Sequence, residues 1–171
     1  MFAAVDVHYP PSGAARAAVV LASDPAFSTL VCETTEFVKD VAPYRPAEFY
    51  RRELPPLRAV LAKVDGIDLL VIDGYVTLDP DGRPGLGAYA HAEFGVPVIG
   101  GQGPDSRQSR TRLLWYVAAK RPLSVTSAGL PPPDAAELVR AMAGEFRLPD
   151  ALRRVDGLAR GRLAPIKGLR S

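Results

Sequence analysis

The sequence predicts an α/β domain in which helices pack against one mixed β-sheet. Three apolar segments joined by short turns open the chain, a pattern typical of an antiparallel meander. Farther along, segments with helical spacing alternate with short apolar segments, which is typical of parallel strands connected by helices. The chain has 171 residues, a length that suits a single domain with a sizeable core.

The predicted strands are apolar runs bounded by turn-forming residues. The fourth of them contains Leu69-Leu70-Val71-Ile72, a continuous apolar run typical of a strand buried on both faces. The runs that we assign to strands cover residues 2–9, 14–23, 29–35, 67–73, 96–100, 113–117 and 123–126.

Four segments have the spacing of helices, namely residues 46–63, 88–94, 133–143 and 150–159. The last two begin near a Pro-Asp pair, which is a helix-start signal. Pro55-Pro56 lies inside the first, and because proline lacks a backbone N–H we expect a kink or break there. Residues 101–112 are polar and are predicted to form a loop.

The charge of the chain is nearly balanced but unevenly distributed. Apolar residues make up 47% and charged residues 23%, which excludes a disordered chain. From Leu152 onward six basic residues face a single acid, Asp156. This segment either contacts phosphates or is a solvated, partly frayed terminus, and the sequence leaves both open. We divide the chain into one domain, residues 1–160, and a basic, flexible tail, residues 161–171.

Cysteine content and hydropathy indicate the compartment. Cys32 is the only cysteine, so no disulfide can form within the chain. The chain opens without a basic signal-peptide region, and no apolar run approaches the ~20 residues that span a membrane. We therefore expect a cytoplasmic protein with no membrane contact.

Two carboxylates lie in or directly after apolar strands. Asp6 interrupts the first strand, and Asp73 ends the fourth. A carboxylate in such a place is costly unless it is paired or bound to a cation, and ligands gather at the carboxyl ends of strands. The pair could share a Mg²⁺ ion with a third acid from the first helix, Glu53 or Glu48. Alternatively, Asp6 caps a turn or pairs with an arginine, and Asp73 begins an Asp-Gly turn.

Short motifs resemble those of the endonuclease V family and follow the family's order along nearly the whole chain. Alone each is weak, whereas the ordered set is specific. They are Val5-Asp6-Val7-His8-Tyr9, Pro43-Tyr44-Arg45-Pro46, Phe49-Tyr50-Arg51-Arg52-Glu53, Leu70-Val71-Ile72-Asp73-Gly74, Gly85-Leu86-Gly87-Ala88, Val96-Pro97-Val98-Ile99-Gly100 and Phe146-Arg147-Leu148-Pro149.

The resemblance implies a ribonuclease H-like fold and a metal-dependent endonuclease. Asp6, Glu53 and Asp73 would be the catalytic residues and would bind Mg²⁺, with Mn²⁺ as a possible substitute. The enzyme would hydrolyse a phosphodiester bond on the 3′ side of inosine in DNA or RNA, so its partner would be nucleic acid that contains deaminated bases.

The resemblance also implies how the nucleic acid is held. Residues 43–46, Pro43, Tyr44, Arg45 and Pro46, would form a wedge that separates bases, with Tyr44 stacking in the gap. The deaminated base would be flipped into a pocket lined by backbone near Gly74 and Gly87.

Three departures distinguish this chain from the family. The resemblance begins at the first strand, so we expect an N-terminally short member. The family's Val-Ala-Lys after Gly100 is replaced by Gly101-Gln102-Gly103, and its Gly-His after the late strand is replaced by Gly129-Leu130. We expect an arginine of the following segment to take over the phosphate contact of the lysine; the candidates are Arg107, Arg110 and Arg112.

Three functions follow from these observations. The first is an active endonuclease, and the second is a catalytically impaired relative that binds nucleic acid. The third is an unrelated α/β domain that binds a nucleotide or a protein, for which no salt-dependent affinity for nucleic acid is expected. An oligomer is possible where an exposed apolar patch needs cover.

Overall fold

A computed structural model describes residues 1–11, 13–45, 48–79, 81–102, 115–116, 124–144 and 148–166. Within these ranges one sheet has seven strands in the order β3-β2-β1-β4-β5-β7-β6. Their bounds are β1 Phe2–His8, β2 Ala15–Ala22, β3 Leu30–Val38, β4 Leu69–Asp73, β5 Val98–Gln102, β6 Trp115–Tyr116 and β7 Ser124–Ala128.

The pairing of these strands confirms the predicted mixed sheet. β1, β2 and β3 form the antiparallel meander. β4 runs parallel to β1, and β5 runs parallel to β4. β7 pairs with β5 and β6 in antiparallel fashion. The meander followed by helix-connected parallel strands is the architecture that the apolar segments predicted.

Helices cover both faces of the sheet. Their bounds are α1 Phe49–Leu61, α2 Leu86–Phe94, α3 Pro132–Ala141 and α4 Asp150–Ala159. Residues of α1 and α2 pack on one face, and residues of α3 and α4 pack on the other. None of the helices in the described ranges is long and apolar enough to cross a membrane.

Successive residues of β1 point to opposite faces and thereby fix the direction of Asp6. Ala3 and Val5 belong to the core under α1 and α2, whereas Ala4 belongs to the core under α3 and α4. Because side chains alternate along a strand, Asp6 and His8 continue the α3/α4 side. The carboxylate of Asp6 therefore faces α4.

The predicted break in the first helix is wrong, since α1 runs from Phe49 to Leu61 across Pro55 and Pro56. In a helix the N–H of residue i bonds to the carbonyl of residue i−4, so Pro56 leaves the Arg52 carbonyl without its usual donor. The Tyr9 hydroxyl donates to that carbonyl at 3.0 Å. A side chain from outside the helix thus replaces one of the hydrogen bonds that the prolines remove.

We expect Tyr9→Phe to lower the free energy of unfolding by about 1–2 kcal/mol, because it leaves the Arg52 carbonyl without a donor. In a Pro56→Ala background the backbone N–H of the new alanine supplies the missing bond, so the same change costs less. Urea denaturation of the four proteins of this double-mutant cycle measures the difference. If Tyr9→Phe lowers the free energy of unfolding equally in both backgrounds, the Tyr9 hydroxyl does not replace the hydrogen bond that Pro56 removes.

The described part of the basic C-terminal segment is held against the sheet. Arg154 of α4 makes two hydrogen bonds to Glu33 of β3, at 2.7 and 2.8 Å. The backbone N–H of Ile166 donates to the same carboxylate at 2.9 Å. As far as Ile166 this segment is therefore hydrogen-bonded to residues of α4 and β3, and the flexible tail stays a prediction. Residues 167–171 lie outside the described ranges, and the proposed boundary at residue 160 stays a prediction.

Candidate active site

Asp6 and Asp73 are neighbours at the carboxyl ends of two parallel strands. In the register of β1 and β4, Val5 lies opposite Ile72, so the next residue of each strand is an aspartate. Ala4 and Val71, two residues earlier in each strand, both pack in the α3/α4 core. Both aspartates therefore point toward that side of the sheet. Two carboxylates from separate strands thus lie at adjacent positions on one face of the sheet.

Of the two glutamates that the sequence offered as a third acid, the structure favours Glu53. Glu48 precedes α1 and lies near two arginines, with Arg51 at 3.6 Å and Arg45 at 3.8 Å. Glu53 lies within α1 and is only 5% exposed. Its carboxylate interacts electrostatically with both Asp6 and Asp73.

Loss of hydration raises the pKa values of all three acids, and repulsion among them adds to the rise at Glu53 and Asp73. Burial raises the pKa of Glu53 to about 8; the Tyr9 hydrogen bond opposes the rise and the Asp6 charge adds to it. Loss of hydration beside the strands, followed by the charge of Asp6, raises the pKa of Asp73 to about 6, although the residue itself is exposed. Burial also raises the pKa of Asp6, although the Val7 N–H donates to its carboxylate at 2.8 Å. Negative charge at this edge is therefore poorly compensated by the protein itself.

A fourth acid, Asp156 of α4, belongs to the same site and was missed by the sequence analysis. Its charge contributes to the raised pKa values of both Asp6 and Asp73. One turn later Arg160 pairs with Asp156, and its positive charge opposes those two shifts. The available signal was that Asp156 is the single acid in an otherwise basic segment.

Tyr9 and Arg52 surround Glu53. The Arg52 guanidinium lies 3.9 Å from the centre of the Tyr9 ring, which is a cation–π distance. The Tyr9 hydroxyl contacts the Glu53 side chain as well as the Arg52 carbonyl. Burial, followed by the charge of Glu53, raises the pKa of Tyr9, so the hydroxyl remains a donor. These contacts fix the position of the buried carboxylate.

The two histidines have different surroundings. The charge of His8 lowers the pKa of Asp6, and the two side chains lie on one face of β1. The Nδ1 atom of His91 lies 2.7 Å from the Val96 carbonyl oxygen, within hydrogen-bonding distance. His91 is therefore a structural residue between α2 and the start of β5.

The chemistry of the acid cluster suits a hard divalent cation. Carboxylate oxygens are the ligands of Mg²⁺ and Mn²⁺, and raised carboxyl pKa values are relieved by positive charge. Among the described residues, no group of three or more His, Cys, Asp and Glu side chains is close enough to hold one ion. The donor types fit a metal, and the acids must approach one another to bind it together.

The two glycines predicted to line a base pocket are buried. Gly74 has a positive φ of 152°, and its N–H donates to the Gly101 carbonyl at 3.2 Å. At Gly87 a Cβ atom would lie 2.5 Å from Cγ2 of Val76, so only glycine fits. Both glycines support the loop between β4 and α2.

The described part of the predicted wedge is exposed just before α1. Pro43, Tyr44 and Arg45 all face solvent, and Tyr44 is 54% exposed. The Tyr44 ring meets Phe49 edge-on, with 6.4 Å between ring centres. Pro46, together with Arg107, Arg110 and Arg112, lies outside the described residues, so these four assignments stay predictions.

A mixed sheet in which an antiparallel meander precedes helix-connected parallel strands is the ribonuclease H-like arrangement. Endonuclease V of Pyrococcus horikoshii is 30% identical over 168 residues, which span 96% of this chain and 75% of that protein. No protein-family model matches the chain. On the strength of that relative, the chain belongs to the endonuclease V family.

Solved structures agree on the fold. Endonuclease V of Streptomyces avermitilis superposes with a TM-score of 0.77 at 25% identity, over 94% of this chain and 80% of that one. Endonuclease V of Ciona intestinalis, in complex with a 24mer DNA containing an inosine followed by a ribo-adenosine, gives a TM-score of 0.76. Its identity is 16%, over 94% of this chain and 84% of that one, so this likeness concerns the fold alone.

The raised pKa of Glu53 makes metal-free stability depend on pH. A carboxyl whose pKa is about 8 in the folded state, against an ordinary 4.5, binds its proton more tightly when folded. Stability is therefore lost as pH rises from about 4.5 to about 8. We expect Glu53→Gln, in EDTA, to be more stable than wild type at pH 8.5 by on the order of 3 kcal/mol, and similar to it near pH 4.5.

Urea denaturation at the two pH values tests this prediction. Glu137→Gln is the matched control, because the Glu137 side chain is 76% exposed and its loss should change stability little at either pH. Adding Mn²⁺ should then stabilise wild type more than Glu53→Gln. A Glu53→Gln protein that is less stable than wild type at pH 8.5 would contradict the assignment.

Proposed function

We propose that this protein is a metal-dependent endonuclease that hydrolyses the phosphodiester bond on the 3′ side of inosine in DNA or RNA. The observation that carries the proposal is the pair of aspartates at the ends of β1 and β4, within electrostatic reach of buried Glu53. Membership of the endonuclease V family supports the nuclease chemistry. The inosine in the DNA bound by the Ciona protein supports the substrate.

Each acid has a distinct task in this proposal. Asp6 and Asp73 would hold the cation from the strand ends, and Glu53 would complete the set from the opposite helix. Asp156 would join them from α4 once its ion pair with Arg160 opens. A bound Mg²⁺ or Mn²⁺ ion would activate a water molecule and stabilise charge on the phosphate.

The chain's own residues prepare this site in two ways. Tyr9 and Arg52 hold Glu53 in place, so that little reorganisation is needed when the substrate arrives. The raised pKa of Glu53 means that this acid is protonated at neutral pH before a cation binds. Since metal ligands must be deprotonated, cation binding releases that proton and should strengthen as pH rises.

The exposed wedge would open the nucleic acid beside the site. Tyr44 presents a rigid aromatic face to solvent directly before α1 and is able to stack in the gap left by a displaced base. The displaced base would be read by backbone groups near Gly74 and Gly87. Because both glycines are buried, the loop between β4 and α2 would have to move to admit it.

A substrate panel tests the proposal. End-labelled strands of DNA and RNA carry either inosine or adenosine at one position and are incubated with Mg²⁺ or Mn²⁺. We expect a cut on the 3′ side of inosine and none in the adenosine strands, and the relative rates give the preference between DNA and RNA. Equal cutting of inosine and adenosine strands would contradict the proposed substrate.

A second candidate is a family member that binds inosine-containing strands without useful turnover. The family's histidine after the late strand is Leu130 here, and Leu130 packs against the α3/α4 core, so it offers no acid–base chemistry. Loss of one such group commonly lowers a rate about 10²–10⁴-fold. Tight, inosine-selective binding without cleavage in the same panel would select this candidate.

A further inference from the structure

A row of three side chains crosses the sheet next to the acid cluster. His8 of β1 lies opposite Arg16 of β2, and Arg16 lies opposite Phe37 of β3. Because opposite residues in antiparallel strands share a face, all three point to the α3/α4 side, as Asp6 does. The row therefore starts two residues beyond the acid of β1 and ends on β3, the outermost strand of the sheet on that side.

Phe37 and Arg16 at the outer end of the row have unused binding capacity. Phe37 is 57% exposed, although burial would be favourable for so large an apolar ring. The Arg16 guanidinium lies 5.0 Å from the centre of that ring. The Nε atom of Arg16 is buried and has no hydrogen-bond partner among the described residues. An exposed ring beside an arginine with an unsatisfied donor offers stacking together with an anion contact.

The end of α4 keeps Arg16 in this position. A Cβ atom on Gly161 would lie 2.6 Å from Nη1 of Arg16, so the guanidinium packs directly against the glycine backbone. Arg160, the preceding residue, pairs with Asp156 in the acid cluster. The turn after α4 thus connects the row to the active site, and Arg16 is fixed between that turn and the Phe37 ring.

The distance between Phe37 and the acids determines which nucleotide of a bound nucleic-acid strand Phe37 would contact. Strands lie about 4.8 Å apart and rise about 3.3 Å per residue, so Phe37 is roughly 12 Å from Asp6 across the sheet. At the 3.4 Å rise of a stacked strand, this separation corresponds to roughly three to four nucleotides, and to fewer where the strand is extended. A strand whose phosphate lies at the acids would therefore reach Phe37 about three nucleotides away.

We propose that Phe37 and Arg16 form a platform for single-stranded nucleic acid beside the active site. A base about three nucleotides from the scissile phosphate stacks on Phe37, and Arg16 contacts the neighbouring phosphate. This proposal rests on the proposed nuclease function for its choice of partner, whereas its geometry comes from the register of β1, β2 and β3.

Fluorescence anisotropy in EDTA measures the platform without cleavage. The probes are fluorescein-labelled single-stranded DNAs with one deoxyinosine, a flank of about ten nucleotides on one side, and about two or ten on the other. Two such series vary the 5′ and the 3′ flank in turn. In one of the two series, we expect Phe37→Ala to weaken binding of the probe with two long flanks about tenfold relative to wild type. Binding of the probe with one short flank in the same series should weaken less than about twofold.

Matched variants separate stacking from charge. Phe37→Trp retains a ring and should bind the long probe about as well as wild type does. Arg16→Gln should weaken the same probe and reduce the salt slope of binding by about one. Arg140→Gln removes an arginine whose side chain is 46% exposed on α3, away from the row, and should change neither quantity. Thermal denaturation verifies that each variant is folded.

Three outcomes overturn the platform, and a fourth rejects only the nuclease. Phe37→Ala binding every probe as wild type does would remove the stacking contact. Equal weakening of long and short probes would show that Phe37 acts on the whole fold rather than on the flank. Failure of wild type to bind any probe would reject the platform, whereas flank-dependent binding by a protein that does not cleave would reject the nuclease alone.

Discussion

Asp6→Asn is expected to lower the single-turnover rate of inosine-strand cleavage by about 10³-fold or more. Asp6 interacts with both of the other acids, since its charge raises the pKa of Glu53 and of Asp73. Asparagine has nearly the same shape but carries no charge, so the site loses attraction for a cation at its centre. The measurement is single-turnover cleavage at saturating enzyme, which separates the chemical step from binding.

The control for this change is Asp65→Asn. Asp65 is exposed and precedes β4, at the end of the sheet opposite the acids, so its loss should leave the rate unchanged. In EDTA the Asp6→Asn protein should be at least as stable as wild type, because the change removes a poorly compensated charge. Cleavage by Asp6→Asn within about tenfold of wild type would mean that the acid cluster is not the catalytic centre.

The second large effect concerns stability. Arg154→Ala is expected to lower the free energy of unfolding by about 3–5 kcal/mol. The Glu33 side chain is 0% exposed and the Arg154 side chain is 24% exposed, so removal of the guanidinium leaves a buried carboxylate without its cation. Burial alone would raise the pKa of Glu33, and the hydrogen bonds from Arg154 and the Ile166 N–H bring it below its ordinary value.

Urea denaturation at two pH values tests the role of Arg154. The lowered pKa means that the ion pair stabilises the protein fully above about pH 4.5 and less as pH falls, so Arg154→Ala should cost less at pH 4 than at pH 7. Arg140→Ala removes an exposed ion pair and should cost under about 1 kcal/mol. A cost for Arg154→Ala that equals that of Arg140→Ala would contradict a buried, stabilising pair.

Those parts of the fold that depend on local pattern could be predicted from the sequence. Continuous apolar runs indicated the strands of the meander. A strand such as β2, which is covered on both faces, tolerates few polar side chains and is therefore visible in the sequence. The Pro-Asp start of α4 was predicted correctly at Asp150. Asp6 and Asp73 were found because each carboxylate interrupts or ends an apolar strand.

Features that depend on long-range neighbours could not be predicted. The continuity of α1 depends on the Tyr9 hydroxyl, which lies 43 residues before the Arg52 carbonyl that it satisfies. The order of the basic segment depends on Glu33, which lies 121 residues before Arg154. Asp156 resembled a solvated charge on an amphipathic helix, and only the packing of α4 on β1 brings it to the acids.

A metal titration of the cleavage reaction tests whether the acids form a metal-dependent nuclease centre. The rate of cleavage of an inosine-containing strand is measured as a function of Mg²⁺ concentration, for wild type and for Asp73→Asn. We expect the wild-type rate to rise with Mg²⁺ to saturation and to vanish in EDTA. The rate of Asp73→Asn should show no such rise. Cleavage by wild type in EDTA, or an undiminished Mg²⁺ response in Asp73→Asn, would contradict a metal-dependent nuclease centre at the ends of β1 and β4.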